Sequence, residues 1–319
     1  MTQPRDLDAL GFDLVVGHAT DEAGATGCTV VRGRTDPFRA SAVVIGRATG
    51  TREVALLDPS AANDRVDAIL LTGGSAYGLD AAAGVMRWME SHGRGYPIAG
   101  GVVPIVPTAV VFDLAPLGRF DARPTAQMAY DACESATARG IAEGNVGAGT
   151  GCTVGKVRGP ERCMKGGFGV GISGDRALAA AAFVAVNAFG HVCGADGAII
   201  AGARADDGSL IDTTEFLKTR EAEGSPAANT TIAVVALNVA LSKGALHAVA
   251  AAASTALFAR VVPAGTRFDG DLIFAMAPLA GPSAPQEACE QHAVRALGDA
   301  IERAVRLAHG RDGIPGLAD

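Results

Sequence analysis

The stretch "SPAANTTIAVVALNVAL" (225–241) passes from a polar, acidic segment into an almost wholly apolar strand, with Asn229, Thr230 and Thr231 on the seam. Threonine suits strands and asparagine suits the turn before one, so strand-edge polarity is one reading. The other is that Asn229–Thr230 is a bond the protein cuts in itself. A threonine attacks without histidine if its own freed α-amine is the base, because that amine titrates at about 7.7–8.0. The chemistry needs a threonine at a new N-terminus, a segment before it that can leave, and a rigid element behind it to hold Oγ. The seam offers all three.

Other motifs narrow the choice. "GAGTGCTVGK" (147–156) is no phosphate loop: Thr150 interrupts the G-x-x-x-x-G-K-[ST] spacing and Val157 follows the lysine. What remains is a glycine-rich approach that presents Lys156, or an ordinary lysine after a turn. The six histidines include no H-x-H or H-E-x-x-H pair, and Asp269 and Asp271 alone make a weak cation site, so no metal is expected. No G-x-S-x-G elbow supports a histidine triad. The six cysteines form no C-x-x-C pair and read as buried, reduced thiols.

The elements that must position these groups are strands first, then strands and helices in turn. "CTVVRG", "SAVVIG", "VALLD" and "AILLTGG" read as strands, followed by a helix over 76–91. "GGVVPIVPTAVVFDL" reads as two strand pieces around prolines. Thr125 caps a helix to about 139, and two apolar runs, "FGVGISG" and "ALAAAAFVAVNAFG", are strand-like. Residues 203–229 read as a loop without an element of its own. Ser242 caps an alanine-rich helix to about 260, "DLIFAMA" is a strand, and Ser283 with Gln286 forms a capping box for the last helix. That order favours a mixed α/β layered fold over a Rossmann succession.

A net charge of −7 without a basic block speaks against nucleic acid or an anionic membrane as partner. The first residues carry no signal-peptide pattern and no run of about 18 apolar residues occurs, so a cytoplasmic protein is the expectation.

Five stretches in consistent order resemble one family: "LLTGGSAYGLDAAAGV" (70–85), "GAGTGCTVGK" (147–156), "VAVNAFG" (184–190), "NTTIAVVALNVALS" (229–242) and "RFDGDLIFA" (267–275). They resemble the self-cleaving hydrolases that include D-aminopeptidase/esterases, β-aminopeptidases and nylon-oligomer hydrolases. The resemblance implies an α/β, four-layer αββα sandwich of N-terminal-nucleophile type. It implies a single catalytic domain over 1–319, cut into an α-part (1–229) and a β-part (230–319). It also implies Thr230 as nucleophile, where many relatives have serine after glycine. Lys156 would lower the proton affinity of Oγ and the α-amine. Asn187 would donate to the oxyanion. Asp269 and Asp271 would accept hydrogen bonds from the α-amine and Lys156, and Tyr77 would line the pocket or assist the oxyanion. Thr231, in a regular strand, points to the opposite face. The implied activity is hydrolysis of short peptides or oligoamides, without cofactor, in a homo-oligomer such as the relatives' tetramers of αβ units. An acyltransferase of the ornithine-acetyltransferase type on the same fold is the alternative.

Overall fold

Alternating and continuous runs of valine, isoleucine, leucine and alanine build two five-stranded sheets in the computed structural model, which describes residues 6–219 and 229–319. The strands are β1 (Leu14–Asp21), β2 (Thr26–Gly33), β3 (Phe38–Val44), β4 (Thr51–Arg52), β5 (Ala68–Thr72) and β6 (Thr108–Val110). They continue with β7 (Gly167–Gly174), β8 (Ala179–Asn187), β9 (Thr230–Leu237) and β10 (Leu272–Pro278). One sheet has the order β1-β2-β5-β6-β4, the other β7-β8-β9-β10-β3. Pairing is parallel at β5–β6 and β9–β10 and antiparallel elsewhere in the two sheets. Helices α1 (Ala82–Ser91) and α2 (Ala126–Glu134) belong to the first sheet, with α2 against β1 and β2. Helices α3 (Lys243–Arg260) and α4 (Gln286–Arg306) cover the second. The layers run helix, sheet, sheet, helix, as the resemblance implies.

Strand parity places the site. In β8, Ala181, Phe183 and Ala185 enter the core between the sheets, whereas Ala182, Val184 and Val186 pack in the core with α3 and α4. In β9, Ile232, Val234 and Ala236 divide from Ala233, Val235 and Leu237 in the same way. Burial on both faces explains the unbroken apolar runs. The same alternation gives Asn187 and Thr230 the inter-sheet side and turns Thr231 toward the helices. Helix α4 sits directly on β7 because Gly167, Gly169 and Gly171 carry no Cβ; one at Gly171 would stand 1.9 Å from the Ala296 carbonyl oxygen.

Several expected elements differ. Val54–Leu57 is a 3-10 turn rather than a strand, with Leu57 buried and its carbonyl accepting from the Ser41 hydroxyl at 2.8 Å. The helix after Thr125, whose side chain accepts the Met128 N–H, stops at Glu134 instead of about 139. Ser283 and Gln286 make no capping box: the helix starts at Gln286 after Pro285, without a side-chain cap. The expected loop 203–229 contains a helix, Thr213–Thr219, because the Asp212 carboxylate accepts the Thr214 and Glu215 N–H groups. Residues 220–228 of that loop lie outside the described residues.

One partly buried histidine ties the fold to the glycine-rich loop. Thr29 Oγ1 accepts the Ala148 N–H at 3.1 Å and lies 2.9 Å from His18 Nδ1. Burial holds the His18 imidazole down at about 4, against an ordinary value of about 6.5. The unfolded chain therefore binds this proton as pH falls through 6.5, while the folded chain does not until about 4, and stability is lost across that window. Between pH 7 and 4.5 the parent protein should lose about 2 kcal/mol more than His18→Gln, measured by urea unfolding of both.

Candidate active site

Asn187 ends β8, Thr230 begins β9, and the two face each other as a cross-strand pair. Thr230 and Asn229 are both buried. The Thr230 hydroxyl donates to the Asn229 carbonyl oxygen at 2.5 Å. The same oxygen accepts the Gly270 N–H at 2.9 Å. The hydroxyl thus rests against a carbonyl that a backbone donor already polarises. Gly270 was not singled out by sequence, although its place between Asp269 and Asp271 is a signal. A Cβ there would lie 2.8 Å from Thr230 Oγ1 and 3.0 Å from the Ala48 carbonyl oxygen, so a larger residue must push its neighbours aside. If Asn229–Thr230 is a bond the chain cuts, Gly270→Ala should displace the hydroxyl and slow that cut about 10–100-fold, read from the time course of chain cleavage on denaturing gels.

Lys156 follows Gly155, whose φ of +74° and contact with the 202–203 backbone admit no side chain. The Lys156 ammonium donates to Asn187 Oδ1 at 2.8 Å and to the Asn187 carbonyl at 3.1 Å. Asn187 Oδ1 also accepts the Thr153 N–H at 3.0 Å, and Nδ2 donates to the Phe112 carbonyl at 2.8 Å. Two donors on one side and an acceptor on the other fix the amide's orientation. Burial pushes the Lys156 ammonium down to about 8, opposed by Cys152 and Cys163 and by the carboxylates of Asp269 and Asp113.

Asp269 and Asp271 sit in the turn before β10 and are buried. Their partners are backbone N–H groups. Asp271 accepts from Thr231 at 2.6 Å and Gly265 at 2.8 Å, and Asp269 accepts from Thr266 at 2.8 Å. Thr230 still carries a peptide nitrogen here, so there is no α-amine for them to hold. Burial, then repulsion from Asp269, raises the Asp271 carboxyl to about 7. The Asp269 and Asp271 carbonyls anchor residues 45–48 through the Ile45, Gly46 and Ala48 N–H groups, each at 2.9 Å.

Tyr77 departs from expectation. The 3-10 turn Ser75–Ala81 brings Ser75 and Ala76 to a cavity of about 280 Å³ beside Thr230, but Tyr77 is not among that cavity's lining residues. Its ring is half exposed, edge-on to Phe120, with the Arg123 guanidinium 3.5 Å above its centre.

Two further buried groups had no signal in the sequence. The Asp113 carboxylate accepts the Gly74 N–H at 2.6 Å and the Thr26 hydroxyl at 2.7 Å, fixing the turn that leads to Ser75. Burial raises it to about 6. The Lys165 ammonium donates to the carbonyls of Gly149 and Cys152 at 3.0 Å and Gly166 at 2.7 Å, clamping the loop that ends in Lys156. All six cysteines are buried free thiols. Among the described residues, no three His, Cys, Asp or Glu side chains are grouped to hold a metal, and no helix is long and apolar enough to cross a membrane.

Residues 12–309 match the model of peptidase family S58. The chain belongs to that family. An uncharacterised aminopeptidase of Mycobacterium leprae is 44% identical over 266 residues, covering 79% of this chain and 71% of the relative. A 6-aminohexanoate-oligomer endohydrolase of Kocuria sp. is 29% identical over 282 residues, covering 84% and 75%. Among solved structures, the L-aminopeptidase D-Ala-esterase/amidase of Ochrobactrum anthropi, a variant of the Ntn hydrolase fold, superposes with a TM-score of 0.70 at 17% identity over 100% of this chain and 93% of its own. A Burkholderia β-aminopeptidase gives 0.66 at 19% identity over 99% and 92%. The S58 chain thus has the N-terminal-nucleophile architecture expected of it. The expectation of a self-processing amide hydrolase is met at the level of the family, and the acyltransferase alternative finds no support among these relatives.

Proposed function

We propose that this S58 peptidase matures by cutting its own Asn229–Thr230 bond and then hydrolyses short amides with the N-terminal threonine so exposed. The observation that carries this is the Thr230 hydroxyl against the Asn229 carbonyl, with the Gly270 N–H on the same oxygen. In the first step Thr230 Oγ adds to that carbonyl carbon, the C–N bond breaks, and the acyl group passes from nitrogen to oxygen. Water then hydrolyses the ester, leaving the carboxylate of Asn229 and a free α-amine on Thr230. In turnover this amine takes the hydroxyl proton as Oγ attacks a substrate amide. It then protonates the leaving amine, and water releases the acyl group.

The geometry supports roles for the neighbouring groups in this reading. Lys156, held by Asn187, favours the unprotonated amine through its nearby positive charge. Asn187, fixed by Lys156, Thr153 and Phe112, serves the oxyanion with its Nδ2 group. Asp269 and Asp271 hold the turn that carries Gly270, and accept from the amine once it exists. Parts 1–229 and 230–319 stay together after the cut, because β9 is paired with β8 and β10 with β3, each pair joining one part to the other.

The test is covalent trapping with a p-nitrophenyl ester. An acyl adduct on the fragment that begins at Thr230 supports the assignment, and an adduct on fragment 1–229 contradicts it.

A further inference from the structure

Asp113 is 1% exposed and takes no part in the steps above, yet three segments that build the site close around it. The first is the turn after β5. Gly74 lies at φ +81° and Ser75 at +51°, and the second value strains a residue with a side chain. Such a turn persists only where its surroundings hold it. The Ser75 N–H donates to the Val111 carbonyl at 3.0 Å, and the Gly74 N–H donates to Asp113 Oδ1 at 2.6 Å. Ser75 and Ala76 then line the cavity beside Thr230. The second segment is Asp113's own. Phe112, directly before it, lines the same cavity, and its carbonyl accepts from Asn187 Nδ2 at 2.8 Å. The third is the glycine-rich loop that ends in Lys156. Its Gly151, with Gly73 of the turn, leaves the space that the carboxyl group fills. A Cβ on Gly73 would stand 2.0 Å from Asp113 Oδ2, and one on Gly151 2.7 Å from the Asp113 Cβ. The Thr26 hydroxyl completes the set, donating to Oδ2 at 2.7 Å.

Resting on the proposed function, we infer that Asp113 is a positioning residue of turnover. Its carboxylate locks the Gly74–Ser75 turn to the Phe112 segment, and so aims the Asn187 amide while fixing the cavity wall. The two effects reach different constants. Through the Phe112 carbonyl, Asp113 acts on the oxyanion donor, a transition-state contact, and therefore on kcat. Through Ser75 and Ala76 it acts on the wall that the substrate meets, and therefore on KM. The hydrogen bonds carry the role, not the charge. An asparagine at this place can accept the Gly74 N–H with its oxygen and donate Nδ2 to a Thr26 hydroxyl turned to accept.

A double-mutant cycle with Asn187→Ala tests this, on processed enzyme whose N-terminal Thr230 has been verified by mass. The substrate is whichever p-nitroanilide, of L-alanine, β-alanine or 6-aminohexanoic acid, the parent cleaves fastest. Asp113→Ala should lower kcat about 10–100-fold in the parent, but less than about threefold in Asn187→Ala, where the amide it aims is gone. It should raise KM in both. Asp113→Asn should keep kcat within about threefold of the parent, because both hydrogen bonds survive. Should Asp113→Ala fail to mature, Thr26→Val, which takes away one of the carboxylate's two donors, enters the cycle in its place. Its kcat loss should be about threefold or more in the parent and vanish in Asn187→Ala. Equal kcat losses in both backgrounds, or Asp113→Asn as slow as Asp113→Ala, would overturn the positioning role and leave the nucleophile standing. Parental kcat in Asn187→Ala, or turnover by protein in which Thr230 is still internal, would overturn the proposed function and the inference with it.

Discussion

Replacing Thr230 with alanine should leave one uncut chain and lower amide turnover by about 10⁴-fold or more, as loss of a nucleophile does elsewhere. The hydroxyl is the only group removed from the scissile carbonyl, which keeps its bond from Gly270. The variant should fold with a stability within about 1 kcal/mol of the parent, because a small side chain at a strand start leaves little cavity. Denaturing mass spectrometry over several days reads the first outcome, and urea unfolding reads the second. Thr230→Ser should still cut, more slowly, since its hydroxyl lacks the methyl that restricts χ1. Processing of Thr230→Ala at the parental rate would mean that another group attacks.

The second large effect is expected at Asn187. Losing one preorganised oxyanion donor typically costs about 10²–10³ in kcat, or roughly 2.7–4 kcal/mol, and Asn187→Ala should lie in that range. Maturation should slow too, because the Asn229 carbonyl passes through the same tetrahedral geometry. The contact with Lys156 makes the comparison sharper. Lys156→Ala removes a positive charge, so the Thr230 amine should titrate higher and the acid limb of the kcat/KM profile should move up in pH. Asn187→Ala should chiefly lower the plateau. Co-expressing 1–229 and 230–319 supplies Lys156→Ala enzyme without waiting for its own processing. An acid limb that moves in Asn187→Ala and stays in place in Lys156→Ala would mean the two roles are interchanged.

The residues of the candidate site are more legible in the sequence than the surroundings that hold them. The apolar runs of β8 and β9 are legible because burial on both faces leaves no polar positions, and their ends are legible because Asn187 and Thr230 break the run. Thr125 and Ser242 were readable as caps because each side chain does accept its expected N–H, from Met128 and Ala245. Ser283 offered the same letters without the same geometry, since Pro285 already sets the entry to α4. Lys165 and Asp113 were silent because their partners are backbone groups of segments distant in sequence, and nothing in a residue's type tells which carbonyls will surround it. Tyr77 misled for a related reason. The motif around it does reach the cavity, but the turn at Gly74 and Ser75, both at positive φ, sets which of its residues do so.

The most direct measurement is the intact mass of the purified protein under denaturing conditions, with N-terminal sequencing of each species. The account predicts two fragments, 1–229 and 230–319, that co-elute under native conditions, the smaller beginning at Thr230. A single chain that persists through long incubation, or a new N-terminus at any other residue, would contradict it.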